Sequence, residues 1–533
     1  MERTLANRAP TGWLNRSFEA LEHSSGRALF FLGLALALLL AIPGETVTTR
    51  AIEELIAILD GVQRLQWGAV PNRDFHSAVG PLAYVIPALG YALTGSMGAA
   101  MPLGMALLLL PIALIAAYVL PSRLSPALAL PFGVFLLLIL AVPMNLGDGL
   151  NILSFGQFYN RIGWVGLSLL VVLFLPGAEG AKHSRFMDGL CATLLVLLLA
   201  YSRVTYGIAG LGFLLLMLTD RRQWRWAAAA LVAVAICALL VEFVWGGSQA
   251  YWRDSMMSFA AAGWLRGTPA QWLELFLGNL ADYLLLGLLA GISLWRRFSV
   301  RTLLFVVLCG LAGFWLINQN DQRWGMLTIH AAAAVLAEGI LRDMRSGPGQ
   351  PTGTLVNPAG IKLYLLGFLF PTILHCTIAL SLHTGSALAN AGESLPVARL
   401  EGVRVADLLT AGDFGGSRWY LGLVSDGVAA LENLDGPAGK IVVLGGPNPF
   451  SLALDLEPAH GDVAHLRWGA HQNESVHTAP EQMFGDADIV MERTAAGGIG
   501  GLGQVYMPFV LENFELVAQT ANWRIFQRPA DAQ

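Results

Sequence analysis

Long apolar stretches alternate with short polar ones along the first 383 residues, and the alternation then stops. Apolar runs fall at about 28–44, 98–120, 125–143, 161–177, 187–201, 204–219, 225–245, 273–295, 302–318, 325–341 and 362–383. A membrane-crossing helix needs about 20 mostly apolar residues, so the pattern predicts about eleven spans. Two segments decide that number. Residues 80–94 are apolar but short and contain Pro87, which fits an interfacial or re-entrant segment. Residues 187–219 form one long stretch interrupted by Ser202-Arg203. A single helix would hold Arg203 near the bilayer centre at a cost of about 3 kcal/mol or more, so two short helices meeting at Arg203 are expected.

The polar stretches have patterns of their own. Within 48–67, Ile52, Leu55, Ile56, Leu59, Val62 and Leu65 recur at helical spacing, and Glu53, Glu54, Asp60, Arg64 and Gln66 take the opposite face. This predicts an amphipathic helix lying on the membrane surface with its charged face in water. Gly68 to Pro71 turns the chain into Asn72-Arg73-Asp74-Phe75-His76-Ser77, and Gly80-Pro81 opens the next element. From about 385 the chain is rich in Gly, Asp, Asn and Pro. It reads as a small α/β domain, 385–533, after a transmembrane domain, 1–384, whose first outer loop is 45–97. Helical spacing at 417–434 and short apolar runs at 441–444, 489–491 and 523–526 mark its helix and strands.

Composition agrees with a polytopic membrane protein. The chain is 55% hydrophobic and 13% charged, against about 25% charged in soluble domains. A net charge of −5 offers nucleic acid nothing to bind. The four cysteines lie inside apolar runs, so neither a disulfide nor a metal site is expected. The first apolar run lacks a clear cleavage site and reads as a retained helix. With eleven spans, Arg123, Lys182, Arg185, Arg221, Arg222, Arg225, Arg296, Arg297, Arg301, Arg342, Arg345 and Lys362 fall on one side. That bias predicts a cytoplasmic N-terminus and, with an odd number of spans, a C-terminal domain outside, which is the periplasm if the source is a diderm bacterium with the chain in its inner membrane. It leaves Arg50, Arg64, Arg73, Arg161, Arg203, Arg253, Arg266 and Arg323 outside, where topology gives no reason for them.

An outer surface carrying arginines and carboxylates offers proton acceptors and anion-binding groups. A carboxylate at a lipid–water boundary can take a proton from an attacking hydroxyl, and arginine forks bind phosphate. The bland readings stand beside this one. Asp74 can pair with Arg73 or cap a turn, His76 can be a bonded structural histidine, and Glu53, Glu54 and Asp60 can be a solvated helix face. Tyr159 and Trp164 suit an interfacial anchor, and 318–324 suits an ordinary polar loop.

The surface helix, the Gly68–Pro71 turn, Asp74-Phe75, and then Gly80-Pro81-Leu82 with an aromatic apolar helix resemble the first loop of GT-C-type glycosyltransferases. The likeness is specific over 45–95 and looser elsewhere. It implies a GT-C-like, polytopic α-helical fold that moves a sugar from a polyprenyl-phosphate donor to a lipid or glycan acceptor at the periplasmic face. It implies an acidic base in the first loop, with Asp74 at the matching position and Glu45, Glu53, Glu54 and Asp60 as the other acids. Arg73, His76, Tyr159, Asn160, Arg161, Arg203, Asn320, Gln322 and Arg323 are the candidate substrate-binding residues. Membrane lipids are partners, no cofactor is implied, and metal dependence stays open. The rival readings are a lipid or polysaccharide transporter, which would favour repeat symmetry, a non-catalytic assembly protein, and an O-antigen polymerase or ligase.

Overall fold

A computed structural model describes residues 11–177, 184–320, 322, 325–346, 357–395, 397–408, 415–434, 436, 438–494 and 499–529. The chain begins with α1 (Thr11–Ala41), strand β1 (Thr46–Thr48), α2 (Ile52–Gln66) and α3 (Leu82–Thr94). Next come α4 (Met97–Arg123), α5 (Pro126–Ala141), α6 (Phe158–Val172), α7 (Arg185–Ser202), α8 (Val204–Met217), α9 (Trp224–Trp245) and α10 (Ser248–Ala262). Then follow α11 (Pro269–Gly278), α12 (Leu280–Arg296), α13 (Val300–Gln319), α14 (Leu327–Ser346) and α15 (Pro358–Leu388).

The chain is a multi-pass helical membrane protein. Among the described residues, six helices are long and apolar enough to cross a membrane, or seven if α11 and α12, bent by 66°, count as one span. Helices α3, α5, α6 and α8 are apolar but shorter. Each apolar run read from the sequence is helical, and α7 ends where predicted. Arg203 is extended (φ −163°, ψ 135°) and α8 restarts at Val204. The Gly80-Pro81-Leu82 turn sits on this break. The Gly80 amide donates to the Ser202 carbonyl at 3.0 Å, and a Cβ on Gly80 would lie 2.0 Å from the Tyr201 carbonyl oxygen. Only glycine admits that approach.

Arginines collect at both ends of α7. Near its start, Arg123 pairs with Asp188 at 2.6 Å, and Glu338 holds Arg342 and Arg345. Arg203 follows its last residue, about 27 Å away at 1.5 Å per residue.

The tail holds β2 (Glu393–Ser394), β3 (Val403–Val405), α16 (Gly415–Glu432), β4 (Ile441–Leu444), α17 (Phe450–Ala453), α18 (Pro480–Met483), β5 (Ile489–Arg493), α19 (Gly500–Asn513), β6 (Glu515–Gln519) and β7 (Trp523–Gln527). One sheet runs β4-β5-β7-β6, with β4 and β5 parallel and the other pairs antiparallel. The helix and strands expected at 417–434, 441–444, 489–491 and 523–526 are α16, β4, β5 and β7. Helix α19 opens on Gly500-Gly501 and β6 is largely exposed, so neither left a periodic signal. A second sheet, β1-β3-β2, joins the tail to the first loop through parallel β1–β3 pairing.

The expectation for α2 needs correction. It is amphipathic, but the Asp60–Arg64 part of its charged face is not in water, whereas Gln66 is exposed and Glu53 partly so. Asp60 and Arg64 are 0% and 1% exposed, because the tail covers them.

Candidate functional site

The tail docks on the first loop through charge and backbone together. Arg64 donates from Nε to Asp60 at 2.8 Å, and from its two terminal nitrogens to Asp462 at 2.6 and 2.8 Å. Burying such a triad demands well-formed hydrogen bonds, since each charge loses its water. Residues 74–76 lie alongside 461–464. The Gly461 amide donates to the Asp74 carbonyl (2.7 Å), the His76 amide to Asp462 (2.8 Å), and the Ala464 amide to His76 (3.1 Å). His76 Nδ1 meets Asp254 at 2.8 Å, and the Gln482 amide meets His76 Nε2 at 2.7 Å. Asp254 also accepts from Asn72 and the Ser77 amide, both at 3.1 Å. Glu53 pairs with Arg493 and Glu45 with Arg404.

The most chemically dense stretch of the sequence is therefore a docking strand. Asp74 accepts from Arg73 (2.9 and 3.0 Å) and from the Val70 amide (2.7 Å), closing the turn that starts it. Partial burial raises its carboxyl, but Arg73, the Val70 amide and His460 outweigh that and hold it below the usual range. Arg73 is exposed and His76 is locked between α10 and the tail. None of the three lines either half of the cavity that the structure forms nearby.

That cavity opens between α2, the helix breaks and the tail. Its larger half, about 370 Å³ including solvent at the mouth, is lined by Glu54, Ala57, Ile58, Ser77, Ala78, Val79, Tyr84, Gln157, Tyr159, His465 and His471. Its polar half, about 290 Å³, shares Glu54, Gln157, Tyr159 and both histidines, and adds Arg203, Arg266, Asn320 and Arg467. Local structure explains how each group arrives. Gln157 takes a left-handed conformation (φ 56°) before α6 and donates to Glu54 at 2.7 Å. Arg203, at the helix break, donates to the Gln319 carbonyl at 3.2 Å and lies 5.6 Å from the Tyr159 ring centre. Asn318 exchanges hydrogen bonds with the Arg266 backbone (2.8 and 2.9 Å), and Gln319 donates to Gly263 and Trp264. The polar run that ends α13 thus clamps the loop that brings Arg266, and it sets buried Asn320 beside the Tyr206 hydroxyl.

Of the residues read from the sequence, Tyr159, Arg203 and Asn320 meet in this cavity. Asn160 stands behind it, in long contacts of 3.4 Å with Gln157 and Tyr206. Arg161 donates to the Met144 carbonyl at 2.9 Å, beside Phe155. Gln322 accepts from the Trp164 indole, and Arg323 lies outside the described residues. Sequence reasoning missed Gln157, Arg266 as a site residue, and the tail's His465, Arg467 and His471. The only local sign of the last three was a basic, aromatic segment, His-Leu-Arg-Trp-Gly-Ala-His. Among the described residues no group of three His, Cys, Asp or Glu side chains has metal-holding geometry.

No family model matches the chain, and no curated protein does. Among solved structures it is similar to ArnT from Cupriavidus metallidurans. The crystal structure of that protein bound to undecaprenyl phosphate is 12% identical, with TM-score 0.42, over 98% of this chain and 99% of that one. The apo structure is also 12% identical, with TM-score 0.45, over 96% and 99%. Likenesses this distant say nothing of the chemistry of this chain.

The cavity histidines make docking acid-sensitive. Burial, with Arg467, pulls His465 down to about 4, and burial, with His465 and Arg203, takes His471 well below its usual 6.5. The unfolded chain binds more protons than the folded one below about 6.5, so stability falls as pH drops from there towards 4. Asp60, pushed up to about 6 chiefly by burial, opposes this. Thermal melts should show a falling midpoint from pH 6.5 to 4.5, flattened in His465→Gln/His471→Gln. A slope that persists in the double variant would refute the assignment.

Proposed function

We propose that the chain is a GT-C-like glycosyltransferase of the inner membrane. It moves a sugar from a polyprenyl-phosphate donor to a lipid or glycan acceptor at the periplasmic face. The observation that supports this reading is one cavity shared by a carboxylate, Glu54, and three guanidinium groups, Arg203, Arg266 and Arg467.

Sugar transfer needs those two kinds of group together. Glu54, steadied by Gln157, accepts the proton of the acceptor hydroxyl as its oxygen attacks the anomeric carbon. The bond from that carbon to the phosphate oxygen breaks, and its electron pair leaves on the phosphate. The arginines stabilise the added charge. A single displacement inverts the anomeric centre. Tyr159 and Asn320 remain for the sugar. Glu54 thus takes the role that the first-loop resemblance gave to Asp74.

The test is purified protein with a panel of polyprenyl-phosphate sugars, scored by release of polyprenyl phosphate. Arg467→Ala should lower kcat/KM about 10²-fold, as for loss of one preorganised donor to a leaving oxyanion. No release from any donor by the unaltered protein would refute the reading in favour of a binding or assembly role.

A further inference from the structure

We propose that the His471 imidazole is a hydrogen-bond acceptor that selects a substrate hydroxyl, a specificity role that rests on the proposed transfer reaction.

The tail segment around this residue is folded into a tight turn. The Ala470 and His471 amides both donate to the Arg467 carbonyl, at 3.1 and 2.8 Å. The turn brings the His471 ring back on His465, with ring centres 6.1 Å apart at 85°. His471 Nδ1 then meets the His465 carbonyl at 3.0 Å. A carbonyl only accepts, so Nδ1 carries the proton, and a neutral ring must be bare at Nε2. The surroundings keep it neutral. Arg203 comes from the α7–α8 break, Arg266 from the loop after α10, and His465 and Arg467 from its own segment, against the single acid Glu54 on α2. Protonation would add a further cation to that set, and burial opposes it as well.

Counting donors and acceptors names the ligand. The polar half offers three guanidinium groups as donors. Its side-chain acceptors are the Glu54 carboxylate, already taking the Gln157 amide, the Gln157 and Asn320 carbonyl oxygens, the Tyr159 hydroxyl and the imidazoles of His465 and His471, and the Nδ1 contact identifies Nε2 as the bare nitrogen of His471. A hydroxyl has an oxygen for the arginines and a proton that needs an acceptor. The donor phosphate takes the arginines but has no proton for His471 Nε2, and an ammonium would be repelled by them. A hydroxyl is the group that satisfies both sides, and a site built for one rejects the analogue that lacks it.

The experiment compares unaltered protein, His471→Leu and His471→Gln on a transferred sugar and its monodeoxy analogues. In His471→Leu, KM should rise about tenfold, the scale of one lost hydrogen bond, with kcat within about twofold. His471→Gln, which restores an acceptor, should recover most of it. One deoxy donor should be used equally well by unaltered protein and the leucine variant. Equal KM and equal deoxy discrimination in His471→Leu would overturn the inference while leaving the transfer reading intact. Failure of the unaltered protein on every donor would refute both. ¹⁵N-histidine NMR of the full chain, assigned by the signal lost in His471→Gln, gives a readout that does not depend on the leucine variant folding. It should show a bare Nε2 at pH 7, and a protonated one would overturn the inference.

Discussion

Glu54→Gln should lower transfer about 10²- to 10⁴-fold, the contribution of a positioned general base, and leave the fold intact. A glutamine keeps the shape of the side chain and an oxygen for the Gln157 amide, which now donates to Glu54 at 2.7 Å. The variant loses the ability to take a proton at the cavity wall. Asp74→Asn is the paired control. Its carboxylate is spent on Arg73 and the Val70 amide, so its loss should loosen a turn and lower the melting temperature slightly, with turnover close to normal. Both variants are read in the same donor assay. The reverse result, an inactive Asp74→Asn beside an active Glu54→Gln, would return the base to the docking strand.

Arg64→Ala should cost about 3–5 kcal/mol, the scale for removing one partner of a buried ion pair. Asp60 and Asp462 would then share a dry interface with no cation between them. Asp60 is already pushed up to about 6 by burial and by Asp462, against the pull of Arg64. Relief requires protonation or separation of the tail from α2. Separation would withdraw His465, Arg467 and His471 from the cavity, so activity should fall with docking. Limited proteolysis and amide exchange in the tail measure the first effect, and the donor assay the second. Replacing Asp60, Arg64 and Asp462 together by apolar residues of similar size should recover much of the stability, since no charge is then left unpaired. Unchanged tail protection in Arg64→Ala would show that the triad does not hold the domain.

Much of the transmembrane layout was legible because lipid imposes one local rule. A backbone in hydrocarbon must satisfy its own hydrogen bonds, so apolar runs became helices. The cost of a buried charge likewise announced the break at Arg203, and the same residue entered the candidate site. Tyr159 and Asn320 were found as polar or amphipathic residues at helix ends. Asp74 shows where local reasoning runs out. A carboxylate in a polar loop looks the same whether it faces a substrate or closes a turn, and the structure has it bonded to Arg73 and the Val70 amide. Glu54 was read as a solvated helix face because the partner that covers α2 lies far along the chain.

What this sequence determined by itself is the set of segments: which runs are helical, where one of them breaks, and where a polar α/β tail begins. Periodicity carries that information because it records, residue by residue, the preference for lipid, protein or water. Only the tertiary structure decided which charges meet. Arg64 and Asp462 are 398 residues apart, and the cavity draws its acid from α2, its arginines from a helix break, a loop and the tail, and its histidines from the tail. No local pattern encodes such a meeting, because the desolvation that makes those groups chemically distinctive arises only when the tail closes over the first loop.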